Sequence, residues 1–209
     1  MIGETGKAKS GSLSAGASLE LHSLVTKARD GDTQAFESLA RYYWVPVYRM
    51  VYHRVRSKMD AEDLTQDVFV TVSKRINSVQ DIARFQSWLY AITINKVRDH
   101  LRKRKLLSLV GFLSQRQGED AKQEVANDES DPLGSVIRKD FWQQVEGFLT
   151  KLSGLEKEVF IMRFMDQLNI NEISQIMGRG PSTIKTHLYR AIKKFREDSK
   201  FQVFLEGIE

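Results

Sequence analysis

Between residues 19 and 105 apolar positions recur at helical spacing, and no run alternates apolar with polar for long enough to predict a strand. The pattern predicts an all-α chain. Asp30, Gly31 and Asp32 end a first helix and cap a second that carries Phe36, Leu39, Ala40 and Tyr43 on one face. Pro46 suits the first turn of a third helix, where its missing N–H costs nothing. Asp60 is the predicted cap of AEDLTQDVFVTVSKRI, in which Leu64, Val68 and Val72 form a core-facing stripe and Asp63, Gln66, Asp67 and Val70 face the other way. A looser stretch, NSVQDIARF, leads to a long helix from about Gln86 to Lys105, which opens on Trp88, Leu89 and Ile92 and ends RDHLRKRK.

The pattern then breaks. Residues 115–133 hold six carboxylates against one Arg and one Lys, with almost no large apolar side chain, and cannot bury enough to order themselves. This divides the chain into a flexible tail (1–18), a first helical domain (19–105), a flexible acidic linker (106–133) and a second domain (134–209). In the second domain Phe141, Val145, Phe148, Leu149 and Leu152 share a helix face. Ser153 with Glu156 forms a capping box before EKEVFIMRFM, and Asn169 with Glu172 forms another before INEISQIM, which Gly178 closes in the left-handed conformation. Gly180 and Pro181 open a final helix, STIKTHLYRAIKKFRE.

Composition narrows the function classes. The chain has 209 residues and no cysteine, so disulfides, thiolate metal sites and cysteine nucleophiles are excluded. Its longest apolar run, Leu106 to Leu113, falls far short of the roughly 20 residues a membrane span needs. The tail lacks an apolar signal-peptide core, and the reading is a cytoplasmic protein. The net charge of +5 is modest, but it is arranged as two basic segments around an acidic one.

A short capped helix, a glycine turn and a longer helix make a helix-turn-helix. In the final helix Ile184, Leu188, Ala191, Ile192 and Phe195 fall on one side. Ser182, Thr186, Tyr189, Arg190 and Lys193 fall on the other, with Lys185 and His187 on the flanks. Lys185, Thr186, His187 and Arg190 are of the types that read base edges and neutralise phosphates, and the amides of Ser182 and Thr183 can hold a phosphate. The other basic segment, NKVRDHLRKRK, follows Trp88 and Tyr90, and aromatics beside cations suit a single strand. A core tryptophan and cations complementing the helix dipole explain the same residues, and composition leaves both readings open. Asp60, Glu62, Asp63 and Asp67 admit a metal-dependent nuclease, yet no base stands at useful spacing, and caps and solvated charge account for them.

With these segments in place, the chain resembles the extracytoplasmic-function sigma factors, the smallest class of the sigma-70 family of bacterial RNA polymerase subunits. DAEDLTQDVFV is similar to the family's conserved helix in region two, and FQSWLYAITINKVRDHLRKRK to the segment after it. LSGLEKEVFIMRFMDQLNINEISQIMG and STIKTHLYRAIKKFR resemble region four and its recognition helix. The resemblance implies a region-two bundle and a region-four helix-turn-helix, with no catalysis, cofactor or metal. It implies that Asp60, Asp63, Gln66 and Asp67 dock on the clamp helices of the polymerase's largest subunit, and that the second domain meets the flap of the second-largest. By the same resemblance the loop Ser78 to Phe85, with Gln80, Asp81 and Arg84, would receive a flipped base of the minus-ten element, and Trp88, Asn95, Lys96, Arg98 and Arg102 would follow the melted strand. Ser182, Thr183, Lys185, Thr186, His187, Tyr189 and Arg190 would read the minus-thirty-five element as duplex. Fully extended, Leu106 to Pro132 reaches about 90 Å, enough for elements about two helical turns apart at roughly 35 Å per turn.

The chain departs from the family at three places. Ser182, Thr183 and Ile184 stand where Gly-Thr-Val is usual, Pro181 where an acidic residue is common, and His187 where Arg is frequent. The run LLSLVGFL either extends the first-domain helix or is covered by an anti-sigma factor. A promoter-binding regulator that acts without polymerase is the rival reading within nucleic-acid binding.

Overall fold

The Asp30–Asp32 turn forms as its residues require. Gly31 sits at φ +99°, and Asp32 caps the helix that follows by accepting from the Ala35 amide at 3.0 Å. A computed structural model describes residues 15–114 and 142–198, with side chains over 19–108 and 142–198. The helices are α1 (Ala15–Arg29), α2 (Thr33–Val55), α3 (Lys58–Arg75), α4 (Phe85–Ser114), α5 (142–150), α6 (Gly154–Phe160), α7 (Ile170–Met177) and α8 (Pro181–Glu197). Two 3₁₀ turns, Ile76–Ser78 and Ile82–Arg84, lie between α3 and α4. Among the described residues there is no strand.

Four local expectations need correction. Pro46 lies inside α2, and the helix continues through it because Tyr43, Val47, Met50 and Val51 on either side are all buried on one face. Ser57, not Asp60, caps α3: Arg56 takes a left-handed conformation at φ 58° and closes α2, so the next residue is already in place to accept from the Asp60 amide at 3.2 Å. The helix after Ser153 stops at Phe160 and passes into a π turn, Ile161–Met165, closed by the Asp166 amide on the Ile161 carbonyl at 3.0 Å. Helix α4 starts at Phe85 and runs to Ser114, so the whole of LLSLVGFL, placed at the start of the linker by sequence, extends that helix. Of the expected tail, residues 15–18 belong to α1; residues 1–14, Phe141 and the acidic stretch lie outside the described residues.

The first core joins Leu39, Val47, Met50 and Val51 of α2 with Val68 of α3 and Leu89, Ile94 and Val97 of α4. Each such side chain is worth roughly 1.5–3 kcal/mol when buried. Thr65 and Thr93, also buried, donate within their own helices to the carbonyls of Ala61 (2.6 Å) and Leu89 (3.0 Å), so neither hydroxyl is stranded. A second cluster gathers Phe148, Leu149, Leu152, Phe160, Ile161 and Ala191, with Phe148 edge-on to Phe160 and Phe195 at 5.3 and 5.2 Å. The two halves share buried apolar contacts. The first core continues without a break into Val159, Met162, Ile173, Ile176, Ile184 and Leu188, because α7 packs on α4 and the π turn on α2.

Candidate nucleic-acid interface and docking face

Helix α3 presents Asp63, Gln66 and Asp67 to solvent, opposite buried Leu64, Val68 and Val72. Asp60 is half-buried and faces His100 and Arg104 of α4 at 3.8 and 3.9 Å, while Asp67 faces Lys96 at 3.9 Å. The acidic face is thereby set against the basic end of α4. Two apolar side chains border it, Met59 at 71% exposed and Val70 at 51%. Residues 59, 63, 66 and 70 follow helical spacing, so carboxylate and amide groups sit between two exposed hydrophobes on one stripe. Sequence reading had placed Val70 there and missed Met59, whose signal was the same spacing one turn earlier.

The Ser78–Phe85 loop is held from within. Val79 is buried, the Ser78 hydroxyl donates to the Arg75 carbonyl at 2.6 Å, and Asp81 accepts from the Ala83 amide at 3.0 Å while pairing with Arg84 at 3.1 Å. Gln80, Asp81 and Arg84 are exposed. Phe85 is buried, its ring 5.7 Å from Tyr43 and 5.8 Å from Trp88, so it forms the floor under the loop. Burial, with Tyr90 nearby, pushes the Tyr43 phenol well up, and burial raises Tyr90 to about 12, so both stay neutral in that floor. Trp88 is half-buried and packs against the first core beside Phe85. Along α4, Asn95, Arg98 and Arg102 are exposed and Lys96 is half-buried.

The helix-turn-helix is built by its caps. Asn169 accepts from the amides of Asn171 (2.9 Å) and Glu172 (3.0 Å), and the Glu172 carboxylate returns to the Asn169 amide at 2.7 Å. Gly178 ends α7 at φ +61°. Helix α8 then starts on Gly180 and Pro181 with no side chain capping it, which leaves its first amides available to an anion. Ser182, Lys185, Thr186, Tyr189, Arg190 and Lys193 are exposed, whereas Ile184, Leu188 and Ala191 are buried. Thr183 and His187 are half-buried, and the His187 Nδ1 is enclosed without a hydrogen-bond partner. Lys194 reaches back to Glu156 at 2.6 Å and ties α8 to the start of α6. That pair holds the Glu156 carboxyl below the usual carboxylate range, and the Ser153 amide adds to the effect. Among the described residues no group of three or more His, Asp or Glu is placed to hold a metal ion, and no helix is long and apolar enough to cross a membrane.

Residues 39–106 match the sequence family Sigma-70 region 2, and residues 142–195 match Sigma-70, region 4. The chain is 31% identical over 179 residues to the ECF RNA polymerase sigma factor BldN of Streptomyces coelicolor, covering 84% of this chain and 64% of that one. It is 24% identical to the ECF RNA polymerase sigma factor SigW of Bacillus subtilis, covering 83% of this chain and 93% of that one. In fold it is similar to CnrH, solved in complex with the cytosolic domain of CnrY, with a TM-score of 0.62, 20% identity, and coverage of 91% and 99% of the two chains.

Proposed function

We propose a function from one premise: this chain belongs to the sigma-70 family of RNA polymerase subunits, in its extracytoplasmic-function class. It acts in the cytoplasm as a transcription initiation factor and not as an enzyme. It binds core polymerase, directs it to a promoter with minus-ten and minus-thirty-five elements, and stabilises the melted strand. The observation that carries this is the coexistence, in one chain, of an exposed acidic stripe on α3 edged by Met59 and Val70 and a helix-turn-helix whose exposed face is almost wholly donors and cations. A regulator working without polymerase has no use for the first.

In this reading Asp63, Gln66 and Asp67, framed by Met59 and Val70, dock on the clamp helices, and Asp60 positions the stripe against α4. Gln80, Asp81 and Arg84 border the base pocket whose floor is Phe85 and Trp88, Ser78 shapes it, and Asn95, Lys96, Arg98 and Arg102 follow the backbone. Lys185, Thr186, Tyr189 and Arg190 enter the major groove, His187 at their edge, and the amides of Ser182 and Thr183 take a phosphate. The second domain meets the flap of the second-largest subunit. The exposed Leu106 and Leu107 offer an apolar strip to an anti-sigma factor.

Run-off transcription with purified core tests the proposal. Restored initiation, with transcripts starting a fixed distance downstream of two shared elements, is expected; a chain that binds duplex but never restores initiation to core is a plain regulator.

A further inference from the structure

Where α4, α6 and the end of α7 come together, the apolar packing stops short and leaves a cavity of about 530 Å³. Small-molecule sites commonly span roughly 300–1,000 Å³. The lining is of two kinds. Val97 and Leu101, one turn apart on α4, line it with Leu155 of α6, Ile161 of the π turn and Met177 at the end of α7. Arg98, Lys157 and Arg179 bring cations to the same space from three separate elements: α4, α6 and the turn after α7.

The other charges of the lining are already spent. Arg54, 4% exposed, lies 2.6 Å from Glu158 and 2.9 Å from Asp166, so Glu158, the only carboxylate among the described lining residues, is neutralised from behind. Burial alone would push the Arg54 guanidinium down, but the two carboxylates more than offset it and its charge is kept. The three cations are differently placed. Among the described residues Lys157 and Arg179 have no carboxylate within ion-pair distance, and Arg98 approaches Glu158 only at 3.8 Å. Arg179 is nevertheless fixed at its backbone, whose amide donates to the Ser174 carbonyl at 3.1 Å and whose carbonyl accepts from the Ser174 hydroxyl. A neighbouring cavity of about 510 Å³ shares Arg54, Leu101 and Lys157, but its own Arg56 is taken by Glu146 at 3.2 Å and by the Trp142 ring at 4.6 Å. Uncompensated positive charge therefore gathers at the first cavity.

This combination selects a ligand class. An inorganic anion satisfies the cations and leaves the apolar wall wet, and a neutral apolar molecule does the reverse. Two guanidinium forks and one ammonium suit several phosphate oxygens better than a single carboxylate. We propose that the cavity binds an organic polyphosphate of nucleotide size, with its phosphates on Arg98, Lys157 and Arg179 and its ring on Leu101, Leu155 and Met177. The site does not depend on the function proposed above, and neither Lys157 nor Arg179 belongs to the surfaces assigned there.

The test titrates the full chain with ATP, GTP and inorganic pyrophosphate by calorimetry at about 0.15 M salt, where weak surface binding is screened. At least one of the two nucleotides should bind saturably, at one site per chain. Pyrophosphate should bind at least about tenfold more weakly, because it leaves the apolar wall uncovered. Lys157→Ala and Arg179→Ala should each weaken the nucleotide about tenfold, since each removes a charge-assisted hydrogen bond. Leu101→Trp should abolish binding by filling the cavity with every cation left in place. Lys193→Ala, on the outward face of α8, should leave it unchanged. All four positions are exposed, so the variants should unfold at the parent's midpoint. The site is overturned by no saturable heat at millimolar nucleotide, by pyrophosphate binding as tightly as the triphosphates, or by full binding in Leu101→Trp. A loss in Lys193→Ala equal to that in Lys157→Ala overturns it as well, because the anion is then held by general surface charge.

Discussion

Replacing Glu156 by Gln probes how the recognition helix is held in place. The carboxylate, 7% exposed, accepts from the Ser153 amide at 2.9 Å and from Lys194 Nζ at 2.6 Å, so one group closes the cap of α6 and anchors α8. Glutamine keeps an oxygen for the Ser153 amide, and the capping box survives. What disappears is the charge on the bond to Lys194. Hydrogen bonds to charged groups contribute about 1.5–3 kcal/mol against about 1 for neutral ones, and the lysine, 43% exposed, is screened by water, so the low end applies: a loss of about 1 kcal/mol. Alanine would also remove the cap, adding about 1 kcal/mol. Urea unfolding of Glu156→Gln, Lys194→Met and the double variant at pH 7 should give a coupling of about 1 kcal/mol. The pH dependence carries its own sign. The folded carboxyl titrates below its ordinary 4.5, so the unfolded chain takes up the proton first; the contribution is complete above pH 4.5 and drains away as pH falls through the lower folded value. The gap between parent and Glu156→Gln should therefore close in acid. Zero coupling, or a gap that persists well below pH 4.5, would refute the reasoning.

Three further outcomes follow from the same geometry. Gly178→Ala adds a Cβ that meets nothing within 4 Å, so its cost is the left-handed backbone alone, about 1–2 kcal/mol in thermal unfolding, and Gly178→Asn should recover most of it. Arg190→Ala should cost about 1–3 kcal/mol in duplex binding at one promoter position, measured against a panel of single-base changes; an equal loss on every sequence would make Arg190 a phosphate contact. Asp63→Arg should weaken binding to core polymerase while duplex binding through α8 is unaltered, and an unchanged core affinity would remove the docking stripe from the α3 surface.

What could be read in the chain was set by interactions within a few residues. Ser153 with Glu156, Asn169 with Glu172 and the Gly178 turn are complete in seven residues or fewer, and each forms as expected. The two faces of α8 separate as the 100° spacing requires. The failures have the same root. At Pro46 the local rule was outweighed by burial on both sides. At Asp60 a left-handed Arg56 moved the helix start three residues back, and φ is invisible in a residue not known for adopting that conformation. The π turn after Phe160 has no composition of its own; it is fixed by the Leu168 amide reaching the Met162 carbonyl at 2.9 Å and by Gln167 at φ 59°, which together bring Asp166 onto α2.

Arg54 and His53 meet Glu158 and Asp166 across more than a hundred residues of chain, so no local pattern could bring them together. Their burial also bears on what holds the two halves together. Removing one partner from a buried ion cluster costs about 3–5 kcal/mol, because an uncompensated charge stays in the interior. Opening the seam rehydrates all the charges at once, and Coulomb energy lost is then returned largely as solvation, so the ionic part of the closed state stands near balance against the open one. Charge therefore sets how the halves fit more than how hard they are held. The apolar seam, in which Val47 and Met50 share one cluster with Met162, Ile173 and Ile184, supplies the holding.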